Sequence, residues 1–168
     1  MILEGKALVM GDNVNTDMLH PSRFFSLDDS RVRSGFMQAA ASYEGLGGED
    51  LSGRILLAGD NFGCGSSRET GARVFLLAGI KAIVARSMAR IFSRNVRNLG
   101  LPAFECPELP APLPPEAELR LDWDRETLTL KDAQGEKKFP LKPLDPFWKA
   151  VLEKGGLLPY LGIEEKRV

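Results

Sequence analysis

The chain has 168 residues, about the length of one ordinary domain. Its 22 Lys and Arg are balanced by 23 Asp and Glu, with an isoelectric point near 5.9, which excludes the concentrated basic surface that gripping nucleic acid or anionic lipid requires. A chain of this size buries roughly 70% of its unfolded surface and needs no covalent or metal staple. Two cysteines, Cys64 and Cys106, without C-x-x-C spacing, and the single His20 cannot by themselves complete a zinc or iron–sulfur site. The longest apolar run, Val74 to Ile80, is far short of a membrane span, and Met1-Ile2-Leu3 meets Glu4 at once instead of opening a leader. The expectation is a cytoplasmic protein that meets small molecules or other proteins, with no metal of its own, no nucleic acid and no membrane.

Leu3 to Met10 reads as a strand that passes through the turn cluster Gly11-Asp12-Asn13 into a loop. From Asp12 to Leu27 no steady period holds, and so long an irregular stretch in a small domain is more often a binding loop than filler. Asp28-Asp29-Ser30 is a helix start, followed by Val32, Phe36, Met37 and Ala40 at helical spacing and by a Gly-rich break from Gly45 to Gly48. Arg54 to Ala58 is a short apolar strand, Gly59 to Gly65 a turn, and a helix then runs through about Leu77. Ser66 and Glu69 match the S-x-x-E capping pattern, which places Ser66 at the N-cap of that helix. Ile80 to Ala85 reads as a second strand, Ser87 to Leu99 as a second helix closed by Gly100, and Leu101 to Phe104 as a third strand.

This β-α-β-α-β order implies an α/β fold with a parallel sheet, whose ligands bind beyond the carboxyl ends of the strands, where Phe62 to Arg68 fall. Five prolines between Pro107 and Pro115 make a stiff connector. After it, Glu118 to Trp123 and Glu126 to Lys131 alternate around Asp124-Arg125 as a hairpin, with Lys137 to Leu141 a third candidate strand. Asp145-Pro146 opens a last helix, running to Lys154 and stopped by Gly155-Gly156. The chain is thus one domain with a core over residues 1–106, a Pro-rich connector over 107–115 and a hairpin and C-terminal helix over 116–168.

Gly63-Cys64-Gly65-Ser66-Ser67-Arg68-Glu69 concentrates a glycine turn, two hydroxyls, an arginine and a helix start, which together make an anion site. Each part also has a plain structural reading: Ser-x-x-Glu by itself is a helix cap, and an arginine pairs with surface acids. Arg68 stands where a dinucleotide fingerprint needs Gly or Ala, and no G-K-[S/T] follows, so nucleotide binding is set aside. His20, before Pro21, is read as a satisfied loop histidine, and Cys64, with no histidine to act as its base, as a bystander.

Gly59 to Glu69 resembles the signature of the swivelling domain of the aconitase family, and within it the free-standing small subunits of 3-isopropylmalate dehydratase and homoaconitase. Gly11-Asp-Asn-Val-Asn-Thr-Asp17 with Pro21-Ser-Arg-Phe24 is similar to the family's N-terminal loop. Ala85-Arg-Ser-Met-Ala-Arg-Ile-Phe-Ser-Arg-Asn95 with Asn98-Leu-Gly-Leu101 is similar to its second helix. The resemblance implies a swivelling β/β/α domain and the reversible dehydration and rehydration of a hydroxy acid, with the hydroxyl moving to the neighbouring carbon through an unsaturated intermediate. It implies Ser66 as the base that takes a C–H proton, acting as an alkoxide, and Ser67 and Arg68 as contacts of the substrate carboxylate, with Gly63 and Gly65 allowing close approach. It also implies a large-subunit partner that carries the [4Fe-4S] cluster, leaving this chain without a cofactor.

In such proteins the loop after Asp17 is expected to read the substituent that separates substrates. Here it is Phe24-Phe25-Ser26-Leu27, with Ser26 rather than an arginine at the discriminating place. A pocket without a cation leaves a second buried carboxylate unpaired, at a cost of several kcal/mol. Isopropylmalate, a step of leucine synthesis, is therefore favoured over the homocitrate-type acids of lysine synthesis, with a related alkylmalate left open. Phe24 and Phe25 also have the plain reading of anchors to the core. A non-catalytic module that binds carboxylates or a protein partner is the alternative from another class.

Overall fold

A computed structural model describes residues 1–38, 43, 50–66 and 68–163. Its elements are β1 (Ile2–Met10), α1 (Thr16–Leu19), a 3-10 turn (Ser22–Phe24), α2 (Asp29–Ser34), β2 (Ile55–Ala58), α3 (Thr70–Leu77), β3 (Ala82–Ala85), α4 (Arg90–Asn98), β4 (Ala103–Glu105), β5 (Glu118–Asp122), β6 (Thr127–Asp132), β7 (Gly135–Pro140), α5 (Pro146–Glu153) and α6 (Leu157–Tyr160). None of the helices among the described residues is long and apolar enough to cross a membrane.

All seven strands belong to one sheet, in the order β4-β3-β2-β1-β5-β6-β7. The strand at its centre changes partners along its own length. Ile2 to Lys6 pair antiparallel with β5, from Ile2 opposite Asp122 to Lys6 opposite Glu118, whereas Ala7 to Met10 pair parallel with β2, from Ala7 opposite Ile55 to Met10 opposite Ala58. Gly5 sits at the change, where a Cβ would collide with the Gly53 carbonyl. The first half of β1 is only partly buried and the second half mostly buried, as expected if one half has a solvated face and the other is covered on both.

Alternation of side chains divides the core in two. Leu8, Met10, Leu56, Ala58, Ile83 and Ala85 face Ala72, Val74 and Phe75 of α3 and Phe92 and Val96 of α4. Ala7, Ile55, Leu57, Ala82 and Val84, on the opposite face, meet Leu119, Leu121, Leu128 and Leu130 of the antiparallel strands. The sheet curls so that its antiparallel half covers its parallel half, with helices on the far side: a β/β/α sandwich. β2 and β3, buried throughout, read accordingly as unbroken apolar runs.

The β-α-β-α-β order is as the sequence implies, and the β/β/α layering that the resemblance implies is what the structure shows. Three details differ. The hairpin extends the sheet of the first half, because β5 pairs with β1, a partner the sequence did not name; β7 is its charged outer strand, with Glu136, Lys137 and Lys138 exposed. The loop after β1 is not wholly irregular, since α1 and the 3-10 turn interrupt it. α2, capped by the Asp28 carboxylate, stops at Ser34, because Gly35 lies against Phe24 and Met37 turns to φ +62, its N–H donating to the Leu19 carbonyl at 2.7 Å. Ala40 and the Gly45–Gly48 break lie outside the described residues.

Leu121 has no exposed surface and sits between the two β layers. Leu121→Ala should lower the unfolding free energy by about 2–5 kcal/mol in urea titrations, with an unchanged slope. A loss below about 1 kcal/mol would contradict this packing.

Candidate active site

The carboxyl ends of β1, β2 and β3 lie in register, Met10 beside Ala58 and Ala58 beside Ala85. The chain leaving β1 and the chain leaving β2 then run on side by side. Gly59 N donates to Gly11 O (3.2 Å), Asn13 N to Asp60 O (2.8 Å), Gly63 N to Val14 O (3.0 Å) and Thr16 N to Cys64 O (2.7 Å). The segment after β3 is stitched on through Phe62 N to Ser87 O at 3.0 Å and Asn61 N to Ser87 Oγ at 2.9 Å. Loops that would otherwise be mobile become a ledge beyond the sheet.

Charged groups clasp the root of that ledge. The Asp12 carboxylate accepts from Asp60 N at 2.8 Å and from the Arg86 guanidinium, whose Nε donates to Asp60 Oδ2 at 2.9 Å. The Asp60 backbone N–H, and then the Arg86 charge, hold the Asp12 carboxyl below its ordinary value, while the bond to Asp60 raises that of Arg86. A Cβ at Gly59 would strike Asp12 Oδ1, so only glycine admits this carboxylate. Sequence reasoning assigned no role to Asp12, Asp60 or Arg86. A signal was present: the same tripeptide follows two neighbouring strands, as Gly11-Asp12-Asn13 and Gly59-Asp60-Asn61. Asn13 and Asn61 share φ +54, with Asn61 Nδ2 donating to Asn13 Oδ1 at 3.0 Å.

The glycine turn follows. Gly63 (φ +79) is buried, and a Cβ there would meet the Phe92 ring; at Gly65 (φ +104) it would meet the Asn15 amide. Both positions need glycine for close approach of chain to chain. Ser66 is half-buried, with Oγ 3.5 Å from Thr16 Oγ1.

Ser66 is not the N-cap of the following helix. α3 starts at Thr70; Glu69, in the cap position, has helical angles and makes no side-chain cap bond. The reason is tertiary. Thr16 N holds the Cys64 carbonyl and Thr16 Oγ1 donates to the Ser66 carbonyl at 3.1 Å, so the segment is pinned to the neighbouring loop and coiling begins only at the Arg68 carbonyl, which accepts from Gly71 N at 3.2 Å. Ser66 therefore lies ahead of the helix end, and its Oγ stands 3.5 Å from the Thr16 hydroxyl.

Arg68 is one-third exposed and ion-paired with Asp17, which lies in the first turn of α1 behind its Asn15 cap. Ser67 falls outside the described residues. His20 is buried, its Nε2–H donating to the Val32 carbonyl at 3.1 Å; burial first, and the nearby Arg68 charge as well, hold its pKa below the ordinary histidine value. Cys64 is a half-buried free thiol. Cys106, in the core between the sheet halves, is pushed up to about 11 by burial.

The segment expected to separate substrates splits in two. Phe24 packs on Gly35 and lies 6.4 Å from the His20 ring, and Ser26 Oγ accepts from Asp28 N at 3.0 Å, bracing the start of α2. Phe25 and Leu27 are 60% and 88% exposed. Phe24 is an anchor, and Phe25 is not.

Residues 12–108 match the family model described as the aconitase C-terminal domain. The 3-isopropylmalate dehydratase small subunit of Moorella thermoacetica is 37% identical over 167 residues, 99% of this chain and 98% of that protein. The 2,3-dimethylmalate dehydratase small subunit of Eubacterium barkeri is 35% identical, covering 99% and 100%. A crystal structure of 3-isopropylmalate dehydratase from Methanocaldococcus jannaschii superposes with a TM-score of 0.82 at 31% identity, covering 96% of this chain and 94% of that one.

A carboxylate held below its ordinary value stabilises the fold above the unfolded value and ceases to do so as pH falls through the folded one. In thermal melts near neutrality the wild type should therefore exceed Asp12→Asn. The difference should close as pH falls below 3.8, the ordinary aspartate value. A pH-independent difference would contradict the clasp.

Proposed function

The chain belongs to the aconitase C-terminal domain family, and on that premise we propose that it is the small subunit of a 3-isopropylmalate dehydratase. In this reading it converts 2-isopropylmalate reversibly to 3-isopropylmalate together with a large subunit of the aconitase type. What carries the proposal is the match to relatives of that name along almost the whole chain. The Ser66 hydroxyl and the Arg68 guanidinium, two residues apart on the ledge beyond the parallel strands, supply the chemistry it needs.

The reaction needs a base for a weakly acidic C–H beside a carboxylate. Serine is a poor base in water, so the site must favour its anion. Ser66, half-buried and pinned from behind, takes the proton on Oγ and returns it when water adds back across the double bond. Arg68 binds a substrate carboxylate through parallel N–H bonds, and in the absence of substrate Asp17 occupies the same guanidinium. The substrate exchanges one carboxylate for another, so the arginine is never left unpaired. Gly63 and Gly65 shape the turn that presents both groups.

The departing hydroxyl needs an electrophile that this chain does not fit. The family's [4Fe-4S] cluster is held by three thiolates, whereas this chain has two cysteines, one of them sealed between sheet halves with its thiol held protonated. In this reading the large subunit would hold the cluster, which would supply Lewis acidity toward the hydroxyl. Both thiols of this chain are free, as suits a cytoplasmic protein.

For specificity, the exposed Phe25 and Leu27 are what the discriminating segment offers to an alkyl tail, and the segment holds no cation after Arg23. This favours an alkylmalate over a homocitrate-type acid. A second reading, 2,3-dimethylmalate as substrate, is favoured by the Eubacterium barkeri relative; it leaves the roles of Ser66 and Arg68 unchanged.

Reconstituted with a cluster-bearing large subunit, the wild type should turn over 2-isopropylmalate best in a panel with 2,3-dimethylmalate and homocitrate. Ser66→Ala should lower kcat about 10²–10⁴-fold. Either chain alone should be inactive. An unchanged rate for Ser66→Ala would favour a module that binds carboxylates without catalysing, and a preference for homocitrate would overturn the specificity.

A further inference from the structure

We propose that Thr16 is the positioning residue of the Ser66 base: its hydroxyl turns from the Ser66 carbonyl to the Ser66 Oγ when that oxygen becomes an anion. The inference rests on Ser66 acting as the base. It comes from a geometry that neither the motif nor the comparisons assign to Thr16.

Thr16 is 2% exposed, and an interior hydroxyl must spend its one proton on a partner. In the resting chain that partner is the Ser66 carbonyl, 3.1 Å away, while Ser66 Oγ stands 3.5 Å away. One acceptor is close and the other is at the margin, which is the arrangement of a hydroxyl poised between two neighbours. Rotation of a single C–O bond moves the proton between them, and no heavy atom of the backbone need shift.

The rest of the residue is locked. Thr16 N donates to Cys64 O at 2.7 Å and Thr16 O accepts from His20 N at 2.8 Å. Its Cβ and Cγ2 lie against Gly71 in the first turn of α3, where an added Cβ would stand 3.2 Å and 3.5 Å from them. The methyl is held toward the helix and the hydroxyl toward Ser66. With Ser66 outside the helix, the dipole of α3 cannot act at first contact, and a rotatable donor at the alkoxide takes its place.

Protons balance without a further reactant. Ser66 Oγ–H gives its proton to water; Thr16 then donates to the anion; the substrate C–H proton passes to Ser66 Oγ, and Thr16 turns back to the carbonyl. Thr16 keeps its own proton throughout. A hydrogen bond to an ionised oxygen is shorter and about twice as strong as one between neutral groups, so Thr16 lowers the pKa of Ser66 without touching the substrate.

The test uses the reconstituted two-subunit enzyme with 2-isopropylmalate, reading kcat, KM and the pH profile of kcat for Thr16→Val, Thr16→Ala, Thr16→Ser and Ser66→Ala. Thr16→Val keeps the shape and removes the donor. It should lower kcat by about 10²-fold, as loss of one oxyanion donor does, leave KM within about twofold, and move the acid limb of the profile upward by about one pH unit or more. Thr16→Ser should restore kcat to within a few-fold and return the limb. Should the valine disturb assembly, the Ala/Ser pair reads the same difference. An acid limb that stays put in the hydroxyl-free variants overturns the role of Thr16, even if kcat falls. If Ser66→Ala retains wild-type turnover, it is instead the assignment of the base that fails.

Discussion

Two lengths of chain that leave adjacent parallel strands are tied to each other before either is free to coil, and the candidate site depends on that tie. The four backbone bonds from Gly59–Gly11 to Thr16–Cys64 extend the pairing of β1 and β2 past the point where the strands end. They place Ser66 on the ledge and delay α3 until Thr70. The ion pairs of Arg86 with Asp12 and Asp60 close the root of the ledge. These pairs are partly exposed, and such contacts contribute little singly to stability. Their value here lies in register: the carboxylate that binds Arg86 also accepts the Asp60 N–H, so the two turns can slip past each other only by breaking both.

The sheet explains why such a ledge can be held firm. β2 and β3 are buried on both faces, by helices on one side and by the curled antiparallel strands on the other. Their carboxyl ends are thus the fixed part of the molecule, from which the glycine turn projects. The exposed segment with Phe25 and Leu27, by contrast, hangs on Phe24 and on the Ser26–Asp28 turn. A firmly held candidate site beside an anchored but solvent-facing segment is the division expected where chemistry stays constant and the substrate tail varies.

Much of this was legible in the residues. The order of strands and helices, the turn at Gly63 to Gly65 and the placement of Phe62 to Arg68 beyond the strands follow from apolar runs and glycines. That Ser66 does not cap the helix was not legible, because S-x-x-E is a local pattern and the bond that overrides it comes from Thr16, fifty residues away. The clasp was hidden for the same reason: Asp12, Asp60 and Arg86 meet only once three strands lie in register. The hairpin's place in the sheet could not be read from the hairpin, since alternation says which face is buried and not which strand is the neighbour. It was foreshadowed in β1, where Ile2-Leu-Glu-Gly-Lys6 is mixed and Ala7-Leu-Val-Met10 is wholly apolar. The pairing of Arg68 with Asp17 shows the same limit, since an anion site and an ion pair have one sequence signature.

The central claim is that this chain contributes the base, and the structure of the assembled enzyme with bound 2-isopropylmalate tests it most directly. The account requires Ser66 Oγ at about 3–3.5 Å from the carbon that loses its proton, with Arg68 released from Asp17 onto a substrate carboxylate. A substrate bound with Ser66 Oγ turned away behind the turn, and with the Arg68–Asp17 pair intact, would contradict it.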